Sequence, residues 1–382
     1  MMLVGEAEVK RIHDRFMLRL NDLSSAIDAL KPTLTRVTRR DGSKYIEATG
    51  GSSVEIKQTP EERAATMAAL APSTHGMLAD LQEASRITLT VETPDAESPM
   101  QINVADSVTD TASRVMECRP ISSIRVVTWN VWFSSHQMDE RTAEMVSTVM
   151  QEAPDVLCLQ EVVPRVEAAL RSCGALSKLY TFSPFSISSY GMLMLVRPSL
   201  SPIFSNVALP THMGRSLLIA RCVADGRSLS VATVHLESLA SAPIRRKQLS
   251  VAAAELPTSE GPRILCGDFN FDSSQNWGDW RFDTSQRLPL ENAVLHRTLG
   301  GKWLDTWPAL YPAEPGLTFD GSTNPHVSDH CERMRYDRVM AAGLQPCEAA
   351  LLGTSPSVAG IVPSDHYGLR VDLELAGRCR PG

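Results

Sequence analysis

The sequence predicts an α/β protein in which two packed sheets are flanked by helices, and three observations predict it. Short apolar runs of strand length recur and stop at a polar group: Ile124-Arg125-Val126-Val127-Thr128-Trp129 ends in Asn130, Val156-Leu157-Cys158-Leu159-Gln160 in Glu161, Ser230-Val231-Ala232-Thr233-Val234 in His235, and Arg263-Ile264-Leu265-Cys266-Gly267 in Asp268. Such runs suit strands buried on both faces, whose polar ends emerge where the sheet stops. Other strand-like runs follow one another across short polar connections, which implies antiparallel pairing rather than the strict alternation of a doubly wound sheet. Helical periodicity fills the remaining gaps, placing helices outside the sheets.

Composition narrows the class. The chain has 382 residues, 43% hydrophobic and 21% charged, enough for one large domain and a smaller one. No apolar run reaches the length of a membrane span, and residues 1–10 lack the apolar core of a secretory signal. An intracellular protein, nuclear or cytoplasmic, monomeric and without a membrane partner, is expected. The eight cysteines form no C-x-x-C pair, and Cys158 and Cys266 fall inside predicted strands, which favours reduced structural thiols over disulfides or a cysteine-held metal. A net charge of −7 argues against coating nucleic acid by bulk electrostatics. A local basic groove remains open through Arg215, Arg221, Arg245, Arg246 and Lys247, although solvated surface charge is the ordinary role of such residues.

Taken in order, Ile12, Phe16, Leu20, Leu23, Ile27 and Leu30 recur at helical spacing before the stop at Lys31-Pro32. Residues 33–60 turn polar and Gly-rich, as a short hairpin or loose linker, and 61–84 predict a second helix bent near Pro72. Alternation over Ile87-Thr88-Leu89-Thr90-Val91 predicts a strand, and 86–118 could form strand, turn, strand, helix. Arg119-Pro120 is the expected boundary, giving an N-terminal helical or mixed segment over 1–119 and the main domain over 120–382, because proline disfavours helix in the residue before it. Helices are predicted over 139–152 and 164–171, and strands over 180–185, 191–196, 216–222 and 229–235. Beyond Asn270, a stretch containing Trp277, Trp280, Trp303 and Trp307 shows little period and reads as a long surface excursion. Its aromatics could stack on bases, with at least one of Trp303 and Trp307 packing in the core. Strands at Tyr336-Asp337-Arg338-Val339-Met340 and after Ser364-Asp365-His366 close the domain.

Buried charges and imidazoles are costly unless paired or bound to metal, so four strands delivering four polar groups point to one shared site. Glu161 offers a hard oxygen and Asn130 an amide oxygen, which suit magnesium or manganese held by few protein groups. His235 and His366 can donate to a phosphoryl group, and Asp268 with Asn270 can align an attacking water. Asp337 or Asp365 would hold the His366 ring in one tautomer. The set suits metal-assisted hydrolysis of a phosphate ester. A second Ser-Asp-His triplet, Ser328-Asp329-His330, follows Asn324-Pro325 in a predicted loop and is set aside.

Thr128-Trp129-Asn130, Leu159-Gln160-Glu161, Gly267-Asp268-Phe269-Asn270 and Ser364-Asp365-His366 resemble, in order and spacing, the motif series of the endonuclease/exonuclease/phosphatase (DNase I-like) superfamily. The resemblance covers roughly 121–375. It implies a four-layer α/β sandwich and magnesium-dependent cleavage of phosphodiesters or phosphomonoesters. Within the superfamily, Met213-Gly214-Arg215-Ser216-Leu217-Leu218, His235-Leu236-Glu237-Ser238, Arg335-Tyr336-Asp337-Arg338 and Pro363-Ser364-Asp365-His366-Tyr367-Gly368-Leu369 resemble 5′-tyrosyl-DNA phosphodiesterases, which free DNA 5′ ends from topoisomerase tyrosine in DNA repair. That resemblance implies Glu161 as metal ligand with Asn130 beside it and Asp365 near the metal. Asp268 and Asn270 would manage the water, His235 and His366 the transition state, and Asp337 would orient His366. Substrate contacts are expected from Arg215, Ser238, Arg245, Arg246 and Trp307, and a protein partner could engage the N-terminal segment. Two departures stand out: Val131-Trp132-Phe133 replaces an Ile-Asp-Gly-Leu type of segment, and Phe269 and Phe271-Asp272 replace Thr and Leu-Arg. A deadenylase-like RNA exonuclease shares the Glu161 and Asp268 motifs but not His235-Leu236-Glu237-Ser238. A non-catalytic scaffold would require a missing catalytic group, and none is missing.

Overall fold

Two central parallel strand pairs, one in each sheet, determine where the polar groups emerge. The computed structural model describes residues 99–120, 122–281 and 289–375, which fall in a compact unit spanning Ser98–Gly382. The expected helices over 12–30 and 61–84, the linker between them and the strand at 87–91 lie outside the described residues.

The first sheet contains β1 (Ser123–Asn130), β2 (Val156–Val162), β3 (Thr181–Phe182), β4 (Gly191–Val196), β13 (Leu344–Leu352) and β14 (Gly368–Leu375), in the order β13-β14-β1-β2-β4-β3. The second contains β5 (Ile203–Ala208), β6 (Ser216–Ala224), β7 (Arg227–His235), β8 (Arg263–Asp268), β9 (Trp303–Asp305) and β12 (Asp337–Ala342), in the order β5-β6-β7-β8-β12-β9. Only β1 with β2 and β7 with β8 pair in parallel; every other described pairing is antiparallel. A two-stranded ribbon, β10 (Phe319–Asp320) and β11 (Arg333–Met334), completes the set.

Period-two alternation divides each strand between two cores. Val126, Cys158, Val231 and Cys266 face the space between the sheets, whereas Val127, Leu157 and Leu195 face outward. The outward side of the first sheet is covered by α1 (Asp106–Cys118), α2 (Met138–Glu152), α3 (Pro164–Ser172) and α4 (Gly174–Leu179), through Met116, Met145, Val149, Val166 and Leu176. The second sheet is covered by α5 (Ala242–Glu255) and α6 (Glu291–Leu299), through Leu249, Ala252 and Leu295. Helix, sheet, sheet and helix give the four-layer α/β sandwich. Met100, Ile102, Ala112 and Met116 belong to the outer core of the first sheet, so this unit begins ahead of the expected Arg119-Pro120 boundary.

The described residues after Asn270 hold more regular structure than their weak period suggested. They contain α6, β9 and α7 (Thr306–Leu310), and both Trp303 and Trp307 are buried. The expected strand over 180–185 shortens to β3, because the chain leaves the sheet at Ser183, whose hydroxyl accepts from Met194 N. The free thiols Cys158 and Cys266 are buried. Among the described residues, no helix is long and apolar enough to cross a membrane.

Candidate active site

The ends of the two parallel pairs meet at one rim. Register places Asn130 opposite Gln160 in the first sheet, and in the second sets Asp268 between His235 of β7 and Asp337 of β12. The sheets are pinned together by the buried Gln160 amide, which donates to Thr128 Oγ1 at 3.1 Å and to Thr233 Oγ1 at 2.9 Å.

Local backbone devices then aim the side chains. The β2–β4 register shifts between Leu159 and Val162, and Glu161 takes a φ of 59°, so a bulge turns its carboxylate into the site. A left-handed φ on a non-glycine residue costs energy and is characteristic of functional positions. Gly267 meets a different constraint: at φ 127°, a Cβ there would stand 1.9 Å from the carbonyl oxygen of Val234. Only glycine allows β8 to approach β7 so closely just before Asp268.

Asp268 is the hub. Its Oδ2 accepts from Asn130 Nδ2 at 3.0 Å and its Oδ1 from the Asn270 backbone N–H at 2.8 Å. The Asn270 amide is fixed in turn by donation to Leu236 O at 3.0 Å. Two imidazoles approach the same carboxylate: His235 Nε2 lies 3.5 Å from Asp268 Oδ2 and His366 Nε2 lies 4.0 Å from it. Burial, reinforced by Asp337, pushes the Asp268 carboxyl up to about 6.

The two histidines are held in different states. Arg215 Nη1 donates to His235 Nδ1 at 2.8 Å, and since a guanidinium cannot accept, the His235 proton resides on Nε2. Burial and the charges of Arg215 and His366 hold its pKa well below the ordinary histidine range. His366 Nδ1 instead lies 2.7 Å from Asp337 Oδ2. Burial alone would lower its pKa, but Asp337, with Asp268 and Asp365 behind it, overcomes burial and pushes it up to about 10. Asp337, not Asp365, is therefore the carboxylate that orients His366.

Glu161 shares His235 with Asp268: its Oε1 lies 3.8 Å from His235 Nε2, and its Oε2 accepts from Phe133 N at 3.2 Å. Burial and the nearby Asp365 charge push it up to about 7. Two neighbouring carboxylates that repel each other, with an amide alongside, fit a hard divalent cation, which would favour the ionised form of Glu161. A tighter cluster also exists, since Asp268, Asp337 and His366 bring ligand atoms within 4.8 Å of one another. There His366 is held as an imidazolium by Asp337 and offers no lone pair on either nitrogen, so the Glu161 side suits a cation better.

Sequence reading missed several contributors. Arg141 is buried and donates to the carbonyls of Val131, Trp132, Ser134, His136 and Pro363, clamping the loop after β1 to the one before β14. Tyr190 places its ring 6.2 Å from that of His235, and Phe319 lies 4.8 Å from the His366 ring. Of the expected substrate contacts, Arg215 and Ser238 belong to the site, with Arg215 Nη2 donating to Ser238 Oγ at 2.8 Å. Arg245 does not: it is buried, paired with Glu291 at 2.9 and 2.6 Å, and satisfied by the carbonyls of Glu237 and Leu239. Trp307 is likewise corrected, being packed between the sheets with its Nε1 on Glu314 O. Arg246 is exposed on α5 beside Pro243, Pro289 and Val294. His330, in the second triplet, is an exposed loop residue bound to Gly321 O.

The chain is similar to known proteins over most of this unit. A Tyrosyl-DNA phosphodiesterase 2 of Xenopus laevis is 26% identical over 286 residues, covering 71% of this chain and 72% of that protein. The Homo sapiens Tyrosyl-DNA phosphodiesterase 2 is 26% identical over 272 residues, covering 66% of this chain and 69% of that protein. The solved structure of D. rerio TDP2 complexed with single strand DNA product superposes with a TM-score of 0.57 at 26% identity, covering 66% of this chain and 99% of that one. A profile of the Endonuclease/Exonuclease/phosphatase family matches residues 127–366, a span that opens inside β1 and closes on His366, so the chain belongs to that family.

Proposed function

We propose that the chain is a magnesium-dependent phosphodiesterase, able to use manganese, that hydrolyses the bond between a tyrosine and the 5′ phosphate of DNA. The observation that carries this reading is Asp268, which accepts from the Asn130 amide and has two imidazoles in opposite protonation states within 4.0 Å, one of them shared with Glu161. Similarity to proteins named tyrosyl-DNA phosphodiesterase, extending over about two thirds of both chains, supports the choice of substrate.

Glu161, with Asn130 and Asp365 beside it, would hold the cation. When bound, it neutralises charge on the phosphoryl oxygens. Asp268 takes the proton of an attacking water; a carboxyl near 6 is a competent base at neutral pH. Asn270 fixes Asp268 through its backbone N–H. As the water oxygen bonds to phosphorus and the phosphorus–tyrosyl oxygen bond breaks, His235 Nε2–H and the His366 imidazolium donate to the phosphoryl oxygens. Tyrosine ionises at about 10, so its phenolate departs without a dedicated acid. The 5′ phosphate stays on the DNA.

Product analysis tests this directly. A single-stranded oligonucleotide bearing a 5′-phosphotyrosine should yield free tyrosine and a 5′-phosphorylated strand, much faster than any internal diester is cut. Preferential cleavage of internal or abasic sites would retain the chemistry but remove the named substrate, and preference for poly(A) RNA would favour a deadenylase-like exonuclease.

A further inference from the structure

Among the described residues, Phe133 is the one large apolar side chain at this site left open to solvent, with 49% of its surface exposed. Its backbone is rigidly held. The Phe133 N–H donates to Glu161 Oε2 at 3.2 Å, and the carbonyls on either side, of Trp132 and Ser134, both accept from Arg141 Nη2. Trp132, by contrast, packs inward, with the Arg141 guanidinium 4.6 Å from its ring centroid and His326 at 4.8 Å. The ring of Phe133 stands 5.9 Å from Tyr190, whose other neighbours are His235 and Arg215. Val131-Trp132-Phe133 thus presents one aromatic face at the mouth of the site, fixed by the same hydrogen bond that holds Glu161.

We propose that Phe133 is a stacking residue for the first base of the DNA strand whose 5′ phosphate occupies the site. This deepens the phosphodiesterase reading and rests on it for the identity of the strand. A rigid, exposed aromatic loses little conformational freedom when covered, so its burial goes largely into affinity. Any base offers a π face, which makes such a contact tolerant of sequence. The tyrosyl leaving group is the poorer occupant, because a developing phenolate is repelled by the negative face of an uncharged ring.

The test uses the full chain, magnesium and a 5′-phosphorylated single-stranded oligonucleotide with 2-aminopurine as its first base. Wild type should quench the fluorophore, and Phe133→Ala should restore emission and weaken binding about tenfold, within the range for one stacked base. Phe133→Trp should retain both quenching and affinity. An otherwise identical strand with an abasic first nucleotide should bind wild type and Phe133→Ala alike. Equal weakening of both strands by Phe133→Ala, or of neither, overturns the proposal. Because binding is read without turnover, failure to hydrolyse phosphotyrosyl ends with this base dependence intact would remove only the functional reading.

Discussion

His366 Nδ1 lies 2.7 Å from Asp337 Oδ2 in the interior, while its Nε2 turns toward Asp268. The contact holds a cation at a position that burial alone would neutralise, with the His366 pKa pushed up to about 10. A raised folded pKa contributes stability that is fully present below the unfolded value of about 6.5 and is lost as pH rises through about 10. Asp337→Asn should flatten the stability of the metal-free protein over that window and lower the His366 titration seen by NMR. A His366 resonance that titrates at the same pH in both proteins would contradict the assignment.

Glu161 gives the opposite pairing of activity and stability. Its carboxyl is pushed up to about 7, so the stability it contributes when protonated is lost as pH rises from about 4.5 through 7. Glu161→Gln should therefore make the metal-free protein more stable at pH 7.5 while abolishing turnover at low magnesium. Magnesium should raise the melting temperature of the wild type at pH 7.5 more than at pH 5.5, and that of Glu161→Gln at neither.

The two Ser-Asp-His triplets separate cleanly. His366→Ala should cost at least about a hundredfold in kcat, the scale of a lost transition-state donor. His330→Ala, in the exposed loop, should leave kcat within about twofold of the wild type, as surface substitutions away from the chemistry usually do. Equal losses in the two variants would mean that the final strand is wrongly placed.

Arg245 should matter for folding and not for DNA. Removing it leaves Glu291 enclosed without its partner, a loss of about 3–5 kcal/mol for a buried pair. Denaturant unfolding of Arg245→Ala should show that loss, whereas the salt dependence of DNA binding by its folded fraction should match the wild type. Arg246→Ala, on the exposed face, should leave stability unchanged.

What the sequence reveals follows from how local each signal is. The four strand ends at Asn130, Glu161, His235 and Asp268 are legible because an apolar run and its polar terminus are contiguous. Asp337 and His366 are legible for the same reason, one opening β12 and the other leading into β14. Arg141 is not, since a helical arginine reads as surface charge until the carbonyls of two distant loops close around it. Arg245 misleads in the same way: its partner Glu291 is 46 residues away, and nothing local marks the pair as buried. The regular structure beyond Asn270 was hidden because β9 has three residues and α7 five, too short for either period to show.

The most direct test is an activity panel on the full chain with magnesium and with excess chelator, using 5′-phosphotyrosyl single-stranded DNA, an abasic-site duplex, poly(A) RNA and an inositol phosphate. The account predicts fast release of tyrosine from the first substrate, slow or no reaction on the others, and no activity in chelator or in Glu161→Gln. Full activity in excess chelator would contradict it.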